Sequence, residues 1–202
     1  MTKNILLKIP VLIFAFVTVS LSLSASVKPY YSKSLTHIDS AKRKHAELIF
    51  PVPPSDANRL FYIQRDPNTN TLIYDVNIDK NTGKPNTETP VHAYWIRYNE
   101  KGQKEELGYI QRKFAYGVTT KALGDDKYDI RFVSYKKFPL TLMKAADGKY
   151  HIFATVSQKQ MVLHKVFIKI EGGSFWLPNI IFVEMKGIDP ITGKEITERF
   201  KP

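Results

Sequence analysis

The chain has 202 residues, 43% of them hydrophobic, and a formal net charge of +11. Its length suits one domain or two small ones, and its apolar content excludes a wholly disordered chain. The absence of cysteine excludes thiolate catalysis, cysteine-ligated zinc and disulfides. The lysines and arginines are scattered, and no nucleic-acid motif accompanies them. We therefore interpret the charge as a soluble basic surface for anionic lipids, glycans or cell-wall polymers rather than for nucleic acid.

Residues 1–26 have the three parts of a secretory signal peptide. Two lysines precede an almost wholly apolar stretch over residues 9–23, and Ser24 and Ser26 then supply the small residues of a cleavage site. The pattern predicts cleavage before Val27 and export to the periplasm or the cell exterior. The alternative is an uncleaved N-terminal membrane anchor, for which the apolar stretch is short, since a span needs about 20 residues.

Residues 27–56 are predicted to be a leader or linker that ends in a proline-rich, extended stretch. Beyond it, apolar residues alternate with others along residues 71–78, as in a half-buried strand. The predicted strands are residues 60–65, 71–78, 91–98, 113–119, 128–135, 140–144, 150–157, 161–170, 180–186 and 195–200. Residues 57–202 are therefore predicted to form a mostly β domain, an antiparallel β-sandwich or barrel of about eight to ten strands.

Two short sequences occur twice in the predicted domain. Residues 79–84 and 189–194 both read D-x-x-T-G-K, which predicts a hairpin connection with the aspartate capping the turn and the glycine at positive φ. The full phosphate-loop pattern is absent. Tyr-Ile-Gln-Arg occurs at residues 62–65 and 109–112. The second repeat predicts two equivalent segments, each ending in an arginine.

The familiar catalytic patterns are missing. No serine lies in G-x-S-x-G, and no H-E-x-x-H or other close histidine pair occurs. The histidines stand apart at positions 37, 45, 92, 151 and 164. A catalytic set assembled from distant positions stays open, because triads are spatial. We predict no catalytic residue, metal or cofactor.

The candidate ligand site is a group of arginines and aromatic residues. On the predicted strand 91–98, Trp95 and Arg97 share one face while Tyr98 lies on the other. Arginine beside aromatic rings binds carboxylate or phosphate and stacks on the rings. The hypothesis is that three arginines surround one anionic group. The predicted ligand-binding residues are Arg65, Trp95, Arg97, Tyr98, Arg112 and Tyr116.

The alternative for this group is structural. In that interpretation the stem of an arginine packs on Trp95 and its head pairs with an acid such as Asp75 or Glu105. Aromatic-rich strands usually build cores.

Three blocks resemble those of an uncharacterised bacterial domain-of-unknown-function family. They are Leu-Phe-Tyr-Ile-Gln-Arg at 60–65, Tyr-Trp-Ile-Arg-Tyr at 94–98 and Tyr-Ile-Gln-Arg-Lys-Phe-Ala-Tyr-Gly at 109–117. The resemblance extends over residues 51–200. It implies that the protein is exported, and it implies no activity, ligand or partner.

The expected function is that of an exported, non-enzymatic binding or structural module of the cell envelope. Its expected partner is an anionic polymer, a glycan or a lipid head group. The alternative is an envelope hydrolase that acts on a glycan or an ester. A concave pocket that holds one of the histidines beside an acid would favour the hydrolase.

Overall fold

Eleven strands make up most of the described residues of the computed structural model, which are 48–156, 158–174 and 177–202. The strands are β1 (Arg59–Asp66), β2 (Asn68–Val76), β3 (Val91–Arg97), β4 (Gln103–Glu106), β5 (Val118–Gly124), β6 (Lys127–Phe132), β7 (Tyr135–Lys144), β8 (Tyr150–Val156), β9 (Lys159–Gly173), β10 (Pro178–Ile188) and β11 (Glu195–Phe200). A 3-10 turn, Tyr98–Glu100, follows β3, and a π-helix, Gln111–Tyr116, precedes β5. The mostly β prediction is confirmed, with one strand more than the upper end of the expected number.

The described residues belong to one compact unit, His45–Pro202. The predicted signal peptide and residues 27–47 of the predicted leader lie outside the described residues, so export and cleavage stay predictions. The described end of the leader packs on the domain. The Phe50 ring meets Phe167 edge to face, and the Pro51 carbonyl accepts a hydrogen bond of 2.7 Å from the buried Gln64 amide.

A single curled, mixed sheet forms a half-barrel. Nine strands follow the order β4-β3-β2-β1-β9-β8-β7-β6-β5, while β10 pairs with β9 and with β11. Every pair is antiparallel except β1 with β9, which run parallel. The predicted fold has only antiparallel pairs, because alternation identifies strands without identifying their distant neighbours. Parallel strands need a long crossover, and here the crossover consists of other strands of the sheet.

The main core lies between the two halves of the sheet that β9 joins. Trp95 of β3, Ile130 of β6 and Leu163 of β9 belong to one buried cluster. A second, smaller cluster includes Tyr94, and Tyr98 packs against it. The predicted separation of the Trp95 side from the Tyr94 side is therefore confirmed, since neighbouring strand residues point to opposite faces.

The two D-x-x-T-G-K segments form the predicted turns. In each copy the aspartate Oδ1 accepts hydrogen bonds from the backbone N–H groups two and three residues further on. Gly83 and Gly193 take φ of 66° and 70°, a region that favours glycine. Each glycine N–H also donates to the carbonyl of its aspartate. The second copy connects β10 to β11.

The predicted strand over residues 113–119 is wrong in its first half. Residues 109–116 form helical turns, and β5 begins at Val118. Contacts four residues apart accompany these turns, such as the 2.9 Å hydrogen bond from Lys113 Nζ to the Tyr109 hydroxyl. The predicted equivalence of the two Tyr-Ile-Gln-Arg copies is therefore also wrong, because one copy lies on β1 and the other enters the π-helix.

We expect Leu163→Ala to destabilise the whole domain, because this side chain is 0% exposed on the strand that pairs with β1, β8 and β10. Removing a buried leucine costs about 2–5 kcal/mol. Urea unfolding followed by circular dichroism measures the loss, and Ile191→Ala, at a 93% exposed residue, is the control. A loss equal to that of the control, or a second transition, would contradict the role given to β9.

Candidate ligand-binding groove

An apolar groove of about 540 Å³ lies on the concave side of the sheet. Its volume is within the range of about 300–1,000 Å³ that is usual for small-molecule sites. The apolar side chains that line it include Ile63, Phe132, Phe138, Val166, Ile168, Ile170, Ile180, Val183, Met185 and Phe200. Arg65 supplies the only charged side chain among the described residues that line it.

The strand register produces one continuous row of groove residues. Arg65 of β1 pairs with Ile168 of β9, Ile168 pairs with Val183 of β10, and Val183 pairs with Phe200 of β11. Paired residues of neighbouring strands point to the same face, so all four side chains line the groove. Three strand spacings of about 4.8 Å give this row a length of about 14 Å. The row thus has a cation at one end and hydrocarbon along the rest.

Arg65 lies between two aromatic rings and has no acid partner. Its guanidinium carbon is 5.1 Å from the Trp95 ring centroid and 4.9 Å from that of Tyr116. One guanidinium N–H donates to the Tyr116 hydroxyl. Within the described ranges, no carboxylate pairs with Arg65, and its buried Nε–H has no hydrogen-bond partner. Arg65 is half-buried, so a charge without an acid partner is unfavourable there, and the two ring contacts offset part of the cost.

Trp95 adds a second unpaired donor beside Arg65. The indole Nε1–H is buried and, within the same described ranges, also has no hydrogen-bond partner. Leaving a buried donor unpaired costs about 1–3 kcal/mol. Of these two side chains only Arg65 lines the groove, so Arg65 is the group that can offer N–H donors to a carboxylate or phosphate there.

Two hydrogen bonds hold the π-helix over the groove. The Tyr74 hydroxyl donates to the Tyr116 carbonyl at 2.7 Å, and the Ser134 hydroxyl donates to the Ala115 carbonyl at 2.7 Å. Burial, reinforced by Tyr116, raises the pKa of Tyr74 well above its usual range. Its hydroxyl is therefore a neutral donor at ordinary pH.

Arg97 has the structural role that the sequence analysis kept as the alternative. Its guanidinium lies 5.2 Å from the Trp95 ring centroid and makes two hydrogen bonds, of 2.6 and 2.7 Å, to Glu105. These bonds lower the pKa of Glu105, so the pair is charged at neutral pH. Arg97 and Arg65 thus share Trp95, but only Arg65 lacks an acid.

The two remaining predicted residues lie elsewhere. Arg112 is exposed, and its guanidinium donates to the carbonyl of the buried Leu107 at 3.0 Å. Tyr98, the first residue of the 3-10 turn after β3, packs with the small cluster that contains Tyr94. The structure therefore brings together Arg65, Trp95, Arg97 and Tyr116, and leaves Arg112 and Tyr98 outside the group.

The histidine–acid pairs are on the surface and outside the groove. His92 lies 2.9 Å from Glu106, and His151 lies 2.8 Å from Asp147. His92 also lines a second, more polar depression of about 450 Å³ together with Asp75. No serine, threonine or tyrosine is among the described residues that line this depression. It therefore offers an imidazole and two carboxylates, Asp56 and Asp75, but not the hydroxyl nucleophile of a serine-type hydrolase.

Sequence reasoning missed the wall of the groove formed by β9, β10 and β11. Their half-buried apolar residues look like ordinary core positions, and only the β1–β9 pairing places them beside Arg65. The helical turns could have been found. Gly108 and Gly117 bracket residues 109–116, and the Gln111 side chain accepts a 3.1 Å hydrogen bond from the Gly108 N–H, as at a helix N-terminus.

None of the helical turns within the described ranges has the length and hydropathy of a membrane-spanning helix. Within those ranges, no three His, Cys, Asp or Glu side chains are grouped so as to hold a metal ion.

The fold and the groove define a β domain with a concave apolar surface and one cation at its end. A family model described as a domain of unknown function, DUF4833, matches residues 61–199, and the chain belongs to this family. The predicted membership in a domain-of-unknown-function family is confirmed. No curated protein and no solved structure matches the chain.

We expect Gly117→Ala to destabilise the turn that carries Tyr116. A Cβ at this position would lie 1.9 Å from the Arg112 carbonyl oxygen, so the π-helix would have to open. Such overpacking costs about 1–3 kcal/mol. Gly108→Ala is the matched control, because its Cβ would meet nothing closer than 3.8 Å. Equal urea midpoints for the two variants would contradict this constraint.

Proposed function

We propose that the protein is an exported, non-enzymatic binding module of the cell envelope for single-chain anionic amphiphiles. The carboxylate or phosphate head binds Arg65, and the hydrocarbon chain lies along Ile168, Val183 and Phe200. The observation that carries this proposal is the row of paired residues that runs from an acid-free arginine into an apolar groove.

The head-group end supports an anion because of what surrounds Arg65. A guanidinium matches carboxylate and phosphate geometry with two parallel N–H donors. The ring contacts with Trp95 and Tyr116 orient this guanidinium before any ligand arrives, which reduces the entropy lost on binding.

The apolar end supports a hydrocarbon chain rather than a glycan. Each methylene moved from water into such a groove contributes about 0.8 kcal/mol, whereas sugar hydroxyls there would lose their hydrogen bonds. The row is similar in length to an extended dodecyl chain. A short anion alone would leave the groove walls exposed, so head and chain are both needed for tight binding.

The hydrolase alternative has less support from the residues present. Neither surface histidine that pairs with an acid lines the groove. His92, which pairs with Glu106, lies instead in the separate polar depression, where the hydrolase alternative would have its site. We therefore assign binding, and not bond cleavage, to the groove.

Isothermal titration calorimetry with dodecanoate, dodecyl phosphate and the uncharged dodecanol tests the proposal below their aggregation concentrations. We expect Arg65→Gln to weaken both anions by at least about 2 kcal/mol, roughly 30-fold in Kd, because it removes the charge from a desolvated pair. Dodecanol should bind more weakly than the anions and should bind the parent and Arg65→Gln equally.

Arg97→Gln is the matched control, since Arg97 also stacks on Trp95 but already pairs with Glu105. We expect this variant to bind dodecanoate like the parent. The outcome against the proposal is no binding of either anion, or equal losses for the two arginine variants. The relative affinities for dodecanoate and dodecyl phosphate show whether the site prefers a carboxylate or a phosphate head group.

A further inference from the structure

Exposed apolar side chains form a rim beside the groove. We define the rim as Tyr109, Ile110, Phe114, Tyr135 and Leu177. Phe114, Tyr135 and Leu177 line the groove, while Tyr109 and Ile110 stand beside Phe114 on the same helical turns. These side chains are exposed by 71% at Tyr109, 53% at Ile110, 53% at Phe114, 38% at Tyr135 and 79% at Leu177. Large exposed apolar groups that cluster in this way mark an interaction surface.

Cations accompany the parts of the rim on the helical turns and around Tyr135. Residues 107–124 carry Arg112, Lys113 and Lys121 without an acid, and residues 133–146 carry three lysines without an acid. Lys113 Nζ lies 5.3 Å from the Tyr109 ring centroid and 5.4 Å from that of Phe114. Positive charge is thus placed among the exposed rings themselves.

We propose that the rim docks on a membrane surface rich in anionic lipid. Aromatic rings and lysines are the side chains that settle at the head-group level of a bilayer. Apolar side chains inserted there and cations beside anionic head groups both add to the affinity. Residues 109–116 then lie in the interface plane, and the groove opens towards the bilayer.

Charge complementarity selects this occupant over a second copy of the chain. Two copies of the rim would bring Arg112 and Lys113 of the two helical turns together, and residues 107–116 contain no acid to pair with them. Docking is a separate property from ligand binding in the groove, and each can fail without the other.

Vesicle co-sedimentation tests the docking, with phosphatidylcholine alone or mixed with phosphatidylglycerol. The protein is used as it is recovered from the expressing cell, with its N-terminus read by intact mass. We expect the mixed vesicles to bind at least about tenfold more tightly, and added salt to weaken this binding. Failure to bind the mixed vesicles would overturn the proposal.

The deciding variant is Tyr109→Ser combined with Ile110→Ser, because neither side chain lines the groove. We expect it to lose at least about tenfold in affinity for the mixed vesicles. The control is Leu123→Ser combined with Ile191→Ser, at residues 54% and 93% exposed that do not line the groove. It should stay within about twofold of the parent.

Lys113→Gln removes a cation of the rim and leaves its apolar side chains in place. We expect it to lose less affinity for the mixed vesicles than the double variant, and we expect added salt to reduce this loss. Dodecanoate binding in vesicle-free solution should be the same for the parent and the rim double variant. Equal vesicle binding by the rim variant and its control would overturn the docking surface and leave the groove's ligand untouched.

Discussion

Strand β9 is the constraint on which the rest of the domain depends, because β1, β8 and β10 all pair with it. Its parallel register with β1 sets Arg65 beside Ile168, and its antiparallel register with β10 sets Ile168 beside Val183. Side chains of a strand alternate between faces, so a slip of one residue would place Lys169 or Phe167 where Ile168 lies. The groove and its cation therefore both depend on how β1 and β10 pair with β9.

The two arginines that contact Trp95 show how partners decide a residue's role. Arg97 pairs with Glu105 near the surface, where such ion pairs contribute about 0–1 kcal/mol. Arg65 lies over the same ring but faces the groove, and a tyrosine hydroxyl is its hydrogen-bond partner there. An anionic ligand would stabilise Arg65, which has no acid partner among the described residues, more than Arg97, whose charge Glu105 already neutralises. In the proposed site, Arg65 is therefore the arginine that binds the anionic head group.

Period-two alternation was enough to predict the β class and the separation of Trp95 from Tyr94 across the sheet. The D-x-x-T-G-K turns were predictable because an aspartate side chain and a positive-φ glycine determine them locally. The pairing of β1 with β9 was not predictable, since the paired residues are just over one hundred positions apart and no crossover helix in the sequence indicates a parallel pair. The second Tyr-Ile-Gln-Arg copy was wrongly predicted to be equivalent to the first, because its residues have high strand propensity. In the structure, Gly117 and the contacts of Tyr116 hold this segment in a π-helix.

In this account, Arg65 and the apolar row bind an amphiphile together, and the cations of the rim strengthen docking on a membrane. These roles are separable because Arg65 lines the groove while Lys113 lies among exposed rings. The most direct test is a crystal structure of the protein with dodecyl phosphate. The account predicts the phosphate within hydrogen-bonding distance of the Arg65 guanidinium and the chain in contact with Ile168 and Val183. A phosphate bound at other cations, with the groove free of the chain, would contradict it.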